Sequence, residues 1–333
     1  MTNAALHCIL TMTRDDNIEE YKDFCSRVAV PLFAQPYWLD AVCPGEWDVM
    51  FARKSGRVAA AMPWHGVRRL GRRFMLQPQL TQFLGPQVDF ALTNESHYRR
   101  RSLFRECATD IIGQIASQRF AYVQMAMHHT YTDWLPFHWA GYRETTRYTY
   151  LLPDISSPDE VVRSFHPSKR GHLRTAAADG LVADCAMGGD EFRDFHARCL
   201  ATKGQRPVYA KAVFDRLAAT MAARGQCAFI AVRGRGGDLQ SAVFVVWDDT
   251  TAYQLMSCTD VRNASAGAST FAVEQAIRFC SSRVKAYDFE GSMMQDVEFS
   301  YSKYGTVQRP YIYLERYSSL AMEIALRLAG KTR

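Results

Sequence analysis

The predicted elements occur in the same order twice along the chain, and this repeat limits the fold more than any other feature. In both halves, alternating apolar residues predict a β-meander, then a helix, then one further strand. In the first half these elements cover residues 47–53, 57–64, 99–118 and 122–127. In the second half they cover residues 226–233, 240–247, 251–257, 268–282 and 284–289. The repeated order indicates a structural duplication.

The length of the chain also favours two domains. A single hydrophobic core stops growing at roughly 250–300 residues, and the sequence has 333 residues. The segment 153–160 is rich in Pro, Ser and Asp and separates two apolar-rich halves. We therefore predict one lobe at residues 1–152 and a second at residues 153–333. The second lobe is predicted to begin with helices at 159–165, 168–179, 190–202 and 211–224.

Charge leaves two interpretations open. The chain is 48% hydrophobic and 22% charged, as ordinary globular proteins are, and its formal net charge is +6. Its arginines cluster at Arg68, Arg69, Arg72, Arg73, Arg99, Arg100 and Arg101. Such clusters form either a solvated basic surface or a binding surface for an anion such as tRNA or a CoA pyrophosphate.

The cysteines and the apolar runs bear on the compartment. The nine cysteines include no C-x-x-C pair and lie in apolar stretches, which is typical of buried, reduced thiols. No run of about 18 apolar residues is present, so no integral membrane segment is predicted. Because the N-terminus also has no pattern of a secretory leader, we expect a cytoplasmic protein.

Two carboxylates, Asp288 and Glu290, stand two residues apart where the last predicted strand ends. Residues i and i+2 of a strand point to the same face, and neighbouring carboxylates raise one pKa. A carboxyl group with a raised pKa suits a general base or an anchor for an amine. Asp288 and Glu290 are therefore both predicted to be catalytic residues. The alternative is a turn at the strand end with solvated carboxylates, where Ser292 caps the next segment.

Other candidates for substrate binding have a positively charged, aromatic or hydroxyl-bearing side chain. Cationic side chains bind carboxylates or phosphates, and aromatic faces pack on the acceptor. The candidates are Tyr37, Trp38, Tyr148, Arg170, Arg174, Ser292, Lys303, Tyr304 and Arg309. The alternative is that the charged residues are solvated and the aromatic ones fill the core.

The sequence contains no motif typical of a metal site, a serine nucleophile or a nucleotide-hydrolysing loop. His128 and His129 are adjacent, without H-E-x-x-H or C-x-x-C spacing, so no metal site is predicted. No G-x-S-x-G sequence indicates a serine nucleophile. The glycine-rich turn at 234–238 lacks the Lys-Ser/Thr of a phosphate-binding loop, which argues against nucleotide hydrolysis.

A series of short motifs follows the order of one known family. They are FAQPYWLDAV at 33–42, LTQFLGP at 80–86, WLPFHW at 134–139, TRYTY at 146–150, DFEGSM at 288–293 and YG at 304–305. Over about residues 30–315 the sequence resembles the FemABX-type peptidyltransferases and their GNAT-like acyltransferase relatives. It departs from them at Thr175, where Lys is usual, and at Ser300-Tyr301, where a Phe-Lys pair is usual.

The resemblance implies an α/β (α+β) fold of two tandem GNAT-like lobes, each a mixed twisted sheet flanked by helices. It also implies transfer of an activated acyl group to an amine. FemABX enzymes take the acyl group from an aminoacyl-tRNA and transfer it to a cell-wall precursor peptide. Other relatives acylate small molecules or peptide natural products.

The loop at 262–268 bears on the donor. Acetyl-CoA-dependent GNAT enzymes hold the CoA pyrophosphate with a glycine-rich loop at the start of a helix. Here the loop keeps Arg262 and Gly267 but lacks the first glycine. We predict that Arg262, Ser265 and Gly267 bind the donor, and that the donor is aminoacyl-tRNA rather than acyl-CoA. The alternative is an ordinary strand–helix loop.

The sequence therefore predicts an acyltransferase that forms an amide on an amine of a peptide, a peptidoglycan precursor or a specialised metabolite. Aminoacyl-tRNA is the predicted co-substrate and tRNA the predicted partner, with no tightly bound cofactor. The alternatives are a CoA-dependent N-acyltransferase of the same fold and a non-catalytic GNAT-like binding protein.

Overall fold

The structure is a computed structural model that describes residues 13–69, 71–93 and 96–330. In this part of the chain, one long mixed sheet runs through the molecule and helices cover both of its faces. The strands are β1 (Trp47–Lys54), β2 (Arg57–Arg69), β3 (Arg72–Leu76), β4 (Gln87–Val88), β5 (Tyr122–Ala126), β6 (Arg143–Leu152), β7 (Val182–Asp184), β8 (Cys227–Arg233), β9 (Leu239–Trp247), β10 (Thr251–Thr259), β11 (Ala286–Asp288) and β12 (Val307–Tyr317).

The helices precede, connect and follow groups of these strands. They are α1 (Arg14–Arg27), α2 (Pro36–Val42), α3 (His97–Ser117), α4 (Leu135–Trp139), α5 (Pro158–Ser164), α6 (Pro167–Ala178), α7 (Gly189–Ala201), α8 (Lys211–Ala223), α9 (Ala268–Ser281), α10 (Gln295–Tyr301) and α11 (Leu320–Leu328). Among the described residues, no helix has the length and apolar character needed to cross a bilayer.

The predicted duplication is confirmed by the sheet. Its strand order is β1-β2-β3-β5-β12-β6-β11-β10-β9-β8-β7, with β4 against β2. In the first repeat, the antiparallel β1, β2 and β3 are followed by α3 and by β5, which lies parallel to β3. In the second repeat, β8, β9 and β10 are followed by α9 and by β11, which lies parallel to β10.

Two strands cross between the repeats. β6 belongs to the first half of the chain but pairs with β11 of the second repeat. β12 belongs to the second half but pairs with β5 of the first, and it also pairs with β6. Each repeat is therefore extended by a strand from the other half of the chain. The lobe limits at 1–152 and 153–333 stay a prediction.

The apolar faces of the two repeat helices follow the predicted periodicity. α3 buries Leu103, Cys107, Ile111 and Ile115 at spacings of four residues. α9 buries a matching row against β8 and β9 that includes Ile277. Each large aliphatic side chain buried in this way contributes about 1.5–3 kcal/mol to stability, so these helices fix the position of the strand ends beside them.

The alternation of apolar residues does not predict β12, although this strand lies near the middle of the sheet. Its sequence, VQRPYIYLERY, mixes charged, aromatic and aliphatic residues. The reason is its position, because one face of β12 borders an open cleft and therefore does not need to be apolar.

Candidate active site

The chain makes a tight turn directly after β11. The strand ends at Asp288, and the two following positions Glu290 and Gly291 have positive φ angles of 62° and 63°. A residue with a side chain held in this left-handed region costs about 1–3 kcal/mol. Glu290 is therefore not part of the strand, and the prediction that strand alternation places it beside Asp288 is wrong. The turn itself brings the two carboxylates together.

Asp288 is buried with two donors on one oxygen. Its side chain is 1% exposed. Its Oδ1 accepts hydrogen bonds from the Thr149 hydroxyl and, at 2.7 Å, from the backbone N–H of Glu290. Burial raises the pKa of Asp288 to about 6, against the opposing effect of these two hydrogen bonds. Asp288 is thus mostly ionised at neutral pH, with a proton affinity close to that of a histidine.

Glu290 has a buried oxygen without a donor. Its Oε1 has no hydrogen-bond partner among the described residues. Burial raises the pKa of Glu290 well above its usual value, and the charge of Asp288 raises it further. The amide of Gln82 donates to the Glu290 carbonyl, and the Oε1 of Gln82 is also buried without a partner in the described part of the chain. A buried polar atom left in this state costs about 1–3 kcal/mol.

These unpartnered acceptors select a type of ligand. The Oε1 atoms of Glu290 and Gln82 are held near the carboxylate of Asp288, whose pKa is raised. An amine supplies two or three N–H donors and matches them. A bound ammonium group also favours the ionised form of Glu290, because an opposite charge lowers a carboxyl pKa.

The turn at 288–291 separates two clefts. The first cleft, of about 540 Å³, is lined by Asp288 and by residues of α2, of the segment after β5 and of the 248–251 turn. The second cleft, of about 680 Å³, is lined by residues 291–294 and by β6 and β12. Gly291 makes this arrangement possible, since a β-carbon there would overlap the carbonyl oxygen of Tyr148 in β6.

The first cleft contains one of the predicted substrate-binding residues, Tyr37. The guanidinium of Arg224 stacks on its ring at 3.5 Å from the centroid. His128 and His129 line the same cleft, and burial lowers their pKa values to about 3 and about 4. Both histidines are therefore neutral at physiological pH.

The second cleft contains Ser292, another predicted residue, whose hydroxyl accepts a local hydrogen bond from Met294 N at 3.0 Å. Met293 and Met294 beside it are 52% and 55% exposed. Arg147 lies opposite, with its guanidinium 3.5 Å from the centroid of the Tyr313 ring. Sequence reasoning missed Arg147, because a single arginine in a β-strand carries no distinguishing pattern.

Three further candidates lie away from both clefts. Trp38 is fully buried and donates to Thr81 Oγ1 at 3.0 Å, so it fills the core. Arg170 donates to the carbonyl oxygens of Arg163 and Phe165 and thereby caps the end of α5. Arg174 is exposed on α6.

Two candidates on β6 and β12 lie close to the turn. Tyr148 is half-buried and packs against the core of the second repeat, while its carbonyl lies under Gly291. Arg309 is exposed on β12, where it pairs in register with Thr149. Its charge helps to lower the pKa of His129.

The predicted pair Lys303 and Tyr304 lies beside a buried lysine that sequence reasoning missed. Lys169 of α6 is 7% exposed and donates to Ser300 Oγ at 2.9 Å and to the Tyr304 hydroxyl at 3.1 Å. Burial, together with the charge of Lys303, lowers the pKa of Lys169 to about 8. In the sequence, Lys169 belongs to a basic run that resembles a solvated helix face.

The predicted donor loop is engaged by α6. Ser265 donates to Asp179 Oδ2 at 2.6 Å and accepts from Gly267 N at 3.1 Å. A β-carbon at Gly267 would lie 2.6 Å from Ala176 N, so α6 packs directly on the start of α9. Arg262 is exposed at the edge of the loop. A phosphate placed at this helix start would therefore face the carboxylate of Asp179.

In the described part of the chain, no cluster of three His, Cys, Asp or Glu side chains is arranged to hold a metal ion.

Comparison with known proteins agrees with this architecture. Residues 162–295 match the family model of an acetyltransferase (GNAT) domain. FemX has a similar structure, with a TM-score of 0.64 at 12% identity, over 95% of this chain and 98% of that one. The C-terminal domain of a putative lysylphosphatidylglycerol synthetase from Agrobacterium fabrum gives 0.58 at 13% identity, over 96% and 99%. No curated protein sequence matches the chain.

A third solved structure shares the tandem arrangement. It is a tandem GNAT protein from the clavulanic acid biosynthesis pathway, with a TM-score of 0.52 at 13% identity, over 92% of this chain and 96% of that one. At such identities the similarity establishes the fold. The chain therefore has a tandem GNAT-like fold similar to that of FemX, as its order of elements predicts, and residues 162–295 match the GNAT domain model.

Proposed function

We propose that this protein transfers an acyl or aminoacyl group to an amine and so forms an amide. The observation that carries the proposal is the turn at 288–291, where unpartnered acceptors on Glu290 and Gln82 lie beside the raised-pKa carboxylate of Asp288. The turn faces one cleft on each side, which gives an acyl donor and an amine acceptor separate approaches to one point.

The reaction assigns a role to each group. Glu290 and Gln82 hold the acceptor amine by its N–H groups, and Asp288 takes the proton that the amine must lose to become a nucleophile. The amine nitrogen then attacks the carbonyl carbon of the donor ester and forms the new C–N bond. The C–O bond to the donor breaks, and its oxygen leaves with the second proton, which the nitrogen loses as the amide forms. A pKa of about 6 suits Asp288 as the proton acceptor near neutral pH.

Aminoacyl-tRNA is the donor that we propose. The loop used by acyl-CoA-dependent enzymes packs against α6 here and faces Asp179, which disfavours a pyrophosphate at that position. The basic residues Arg68, Arg69, Arg72, Arg99 and Arg101 are exposed and offer a surface for an RNA backbone. The acceptor that we propose is an amine of a peptide, a peptidoglycan precursor or a specialised metabolite, encountered in the cytoplasm.

Mass spectrometry of paired reactions tests the proposal. The purified protein is incubated with a mixture of peptide and small-molecule amines, and with either a charged-tRNA mixture or a mixture of CoA thioesters. We expect an amide product with charged tRNA and none with CoA thioesters. A product formed only from CoA thioesters identifies a CoA-dependent N-acyltransferase instead, and no consumption of either donor identifies a binding protein.

Calorimetry with acetyl-CoA supplies an independent measure of donor choice. We expect no binding in the micromolar range, because α6 covers the start of α9. Micromolar binding would contradict the preference for tRNA, although it would leave the amine site at Glu290 and Gln82 intact.

A further inference from the structure

The second cleft contains a cation without an anionic partner. Arg147 lines this cleft, and among the described residues no carboxylate lies within ion-pair distance of its guanidinium. The carboxylate of Glu315 lines the same cleft but is engaged elsewhere. It accepts hydrogen bonds from the Tyr122 hydroxyl and, at 3.3 Å, from the Tyr317 hydroxyl.

Arg147 packs against two tyrosines that line the same cleft. The guanidinium stacks on the face of Tyr313, which holds the plane of the group, and its charge also acts on the hydroxyl groups of Tyr311 and Tyr313. The fork of N–H donors on a guanidinium matches the two oxygens of a carboxylate or the oxygens of a phosphate. Arg147 is half-buried, so the interaction is less screened by water than at a fully exposed site.

The cation lies close to the amine site. Thr149 of β6 bonds Asp288, and Arg147 is two residues earlier on the same strand and on the same face. Two residues of a strand span about 7 Å. Gly291, which follows Glu290, packs against the intervening Tyr148. Arg147 therefore lines the same cleft as Gly291, the residue that directly follows Glu290.

We propose that Arg147 binds an oxyanion, a carboxylate or a phosphate, carried by the acceptor whose amine is held at Glu290 and Gln82. The identification of the amine rests on the proposed function, whereas the oxyanion site rests on Arg147 itself. The acceptor is then an anionic amine in which a short chain separates the two charged groups. Met293 and Met294 border the cleft and supply an apolar wall for that chain.

Four six-carbon probes separate the two sites. Hexylamine carries only the amine, hexanoate and hexyl phosphate carry only an oxyanion, and 6-aminohexanoate carries both groups. Dissociation constants are measured by ligand-observed NMR on the wild-type protein and on Arg147→Gln, Arg147→Lys and Glu290→Gln. Arg72→Gln, which removes an exposed arginine of β3, controls for the change in net charge.

For the wild-type protein we expect 6-aminohexanoate to bind at least about tenfold more tightly than hexylamine. Arg147→Gln is expected to remove that advantage and to weaken both oxyanion probes, without changing hexylamine. Arg147→Lys keeps the charge but not the fork and is expected to retain part of the binding. The stronger of the two oxyanion probes identifies a carboxylate or a phosphate as the natural group.

The two proposals fail in different ways. The oxyanion site is refuted if neither hexanoate nor hexyl phosphate binds the wild-type protein, or if Arg147→Gln binds them as well as Arg72→Gln does. The amine site is refuted if hexylamine does not bind, or if Glu290→Gln leaves its affinity unchanged. Neither result decides the other.

Discussion

The ends of β5 and β11 occupy equivalent places in the two repeats but carry opposite chemistry. After β5 come His128 and His129, and at the end of β11 stand Asp288 and Glu290. His128, His129 and Asp288 line the same cleft. Burial lowers the histidine pKa values and raises the carboxyl pKa values, so in each pair it favours the uncharged form.

His128 and Glu290 differ in whether their buried polar atoms have hydrogen-bond partners. His128 Nδ1 bonds the Thr130 hydroxyl at 2.8 Å, and its ring lies edge-on to Phe83. Glu290 has a buried oxygen with no partner among the described residues. A buried polar group without a partner is costly unless a ligand supplies one. This comparison favours the second strand end for the proposed chemistry and a structural role for the first.

The strongest test of this assignment is the loss of the proton acceptor. Asp288→Asn keeps the shape of the side chain and removes its basicity, so we expect kcat/KM for amide formation to fall about 10²–10⁴-fold. The matched change at the first strand end, His128→Asn, is expected to cost less than about tenfold. Steady-state kinetics with the substrates found by mass spectrometry measure both. Equal losses would show that the two strand ends are functionally equivalent.

A second comparison uses the glycines that pack against these regions. Gly291 has φ +63° and no room for a β-carbon, so we expect Gly291→Ala to lower the free energy of unfolding by about 3 kcal/mol or more. Gly85 lies beside the end of β5, where a β-carbon would sit 3.4 Å from the Cα of Met127. Gly85→Ala is expected to cost less than about 1 kcal/mol, measured by urea denaturation. A cost for Gly85→Ala as large as that for Gly291→Ala would contradict the difference in packing.

Asp288 and His129 are expected to change the free energy of unfolding in opposite directions as pH rises. The folded pKa of Asp288 is raised from 3.8 to about 6, so folding binds a proton in that window and stability falls as pH rises from about 4 to 6. The shift corresponds to about 3 kcal/mol. The folded pKa of His129 is lowered from 6.5 to about 4, so unfolding binds a proton and stability rises over nearly the same window.

We therefore expect opposite effects from the two single variants. Between pH 4 and 6, Asp288→Asn removes the falling contribution, so its stability rises more steeply with pH than that of the wild-type protein. His129→Gln removes a rising contribution, so its stability rises less steeply. Urea denaturation at four pH values measures both slopes. Parallel slopes for all three proteins would show that burial does not shift these groups.

The smallest expected effect concerns the hydroxyl that bonds Asp288. The Thr149 hydrogen bond lowers the pKa of Asp288. Thr149→Val removes it, and we expect the acid limb of the kcat/KM profile to move upward by about half a pH unit to one unit. Thr149→Ser keeps the hydroxyl and is expected to keep the wild-type profile. If Thr149→Val leaves the limb in place, Asp288 is not the group that titrates.

Much of the fold could be predicted because the periodic spacing of apolar residues indicates most of the helices and strands. The helix predicted at 99–118 is α3 at His97–Ser117, and the helix predicted at 268–282 is α9 at Ala268–Ser281. Their apolar faces follow helical periodicity, which depends only on neighbours along the chain. β12 is not predictable in this way, because one of its faces lines a cleft that is formed by segments distant in the sequence.

Some residues of the candidate site could likewise be predicted from the sequence, and others could not. Asp288 and Glu290 can be singled out from the sequence because two carboxylates follow a strand pattern. Arg147, Lys169 and Gln82 cannot, since their roles depend on burial and on partners far away in sequence. For the same reason Trp38 and Arg170 are attractive candidates in the sequence, although the structure uses one in the core and the other as a helix cap.

The sequence by itself determined the duplication, the order of elements and the position of the acidic turn, because these follow from periodicity and local backbone preference. Only the tertiary structure decided that β6 and β12 cross between the repeats, that α6 covers the predicted donor loop, and that Glu290 Oε1 is buried without a hydrogen-bond partner among the described residues. These features depend on which distant groups are brought into contact, and on which buried atoms that packing leaves unsatisfied.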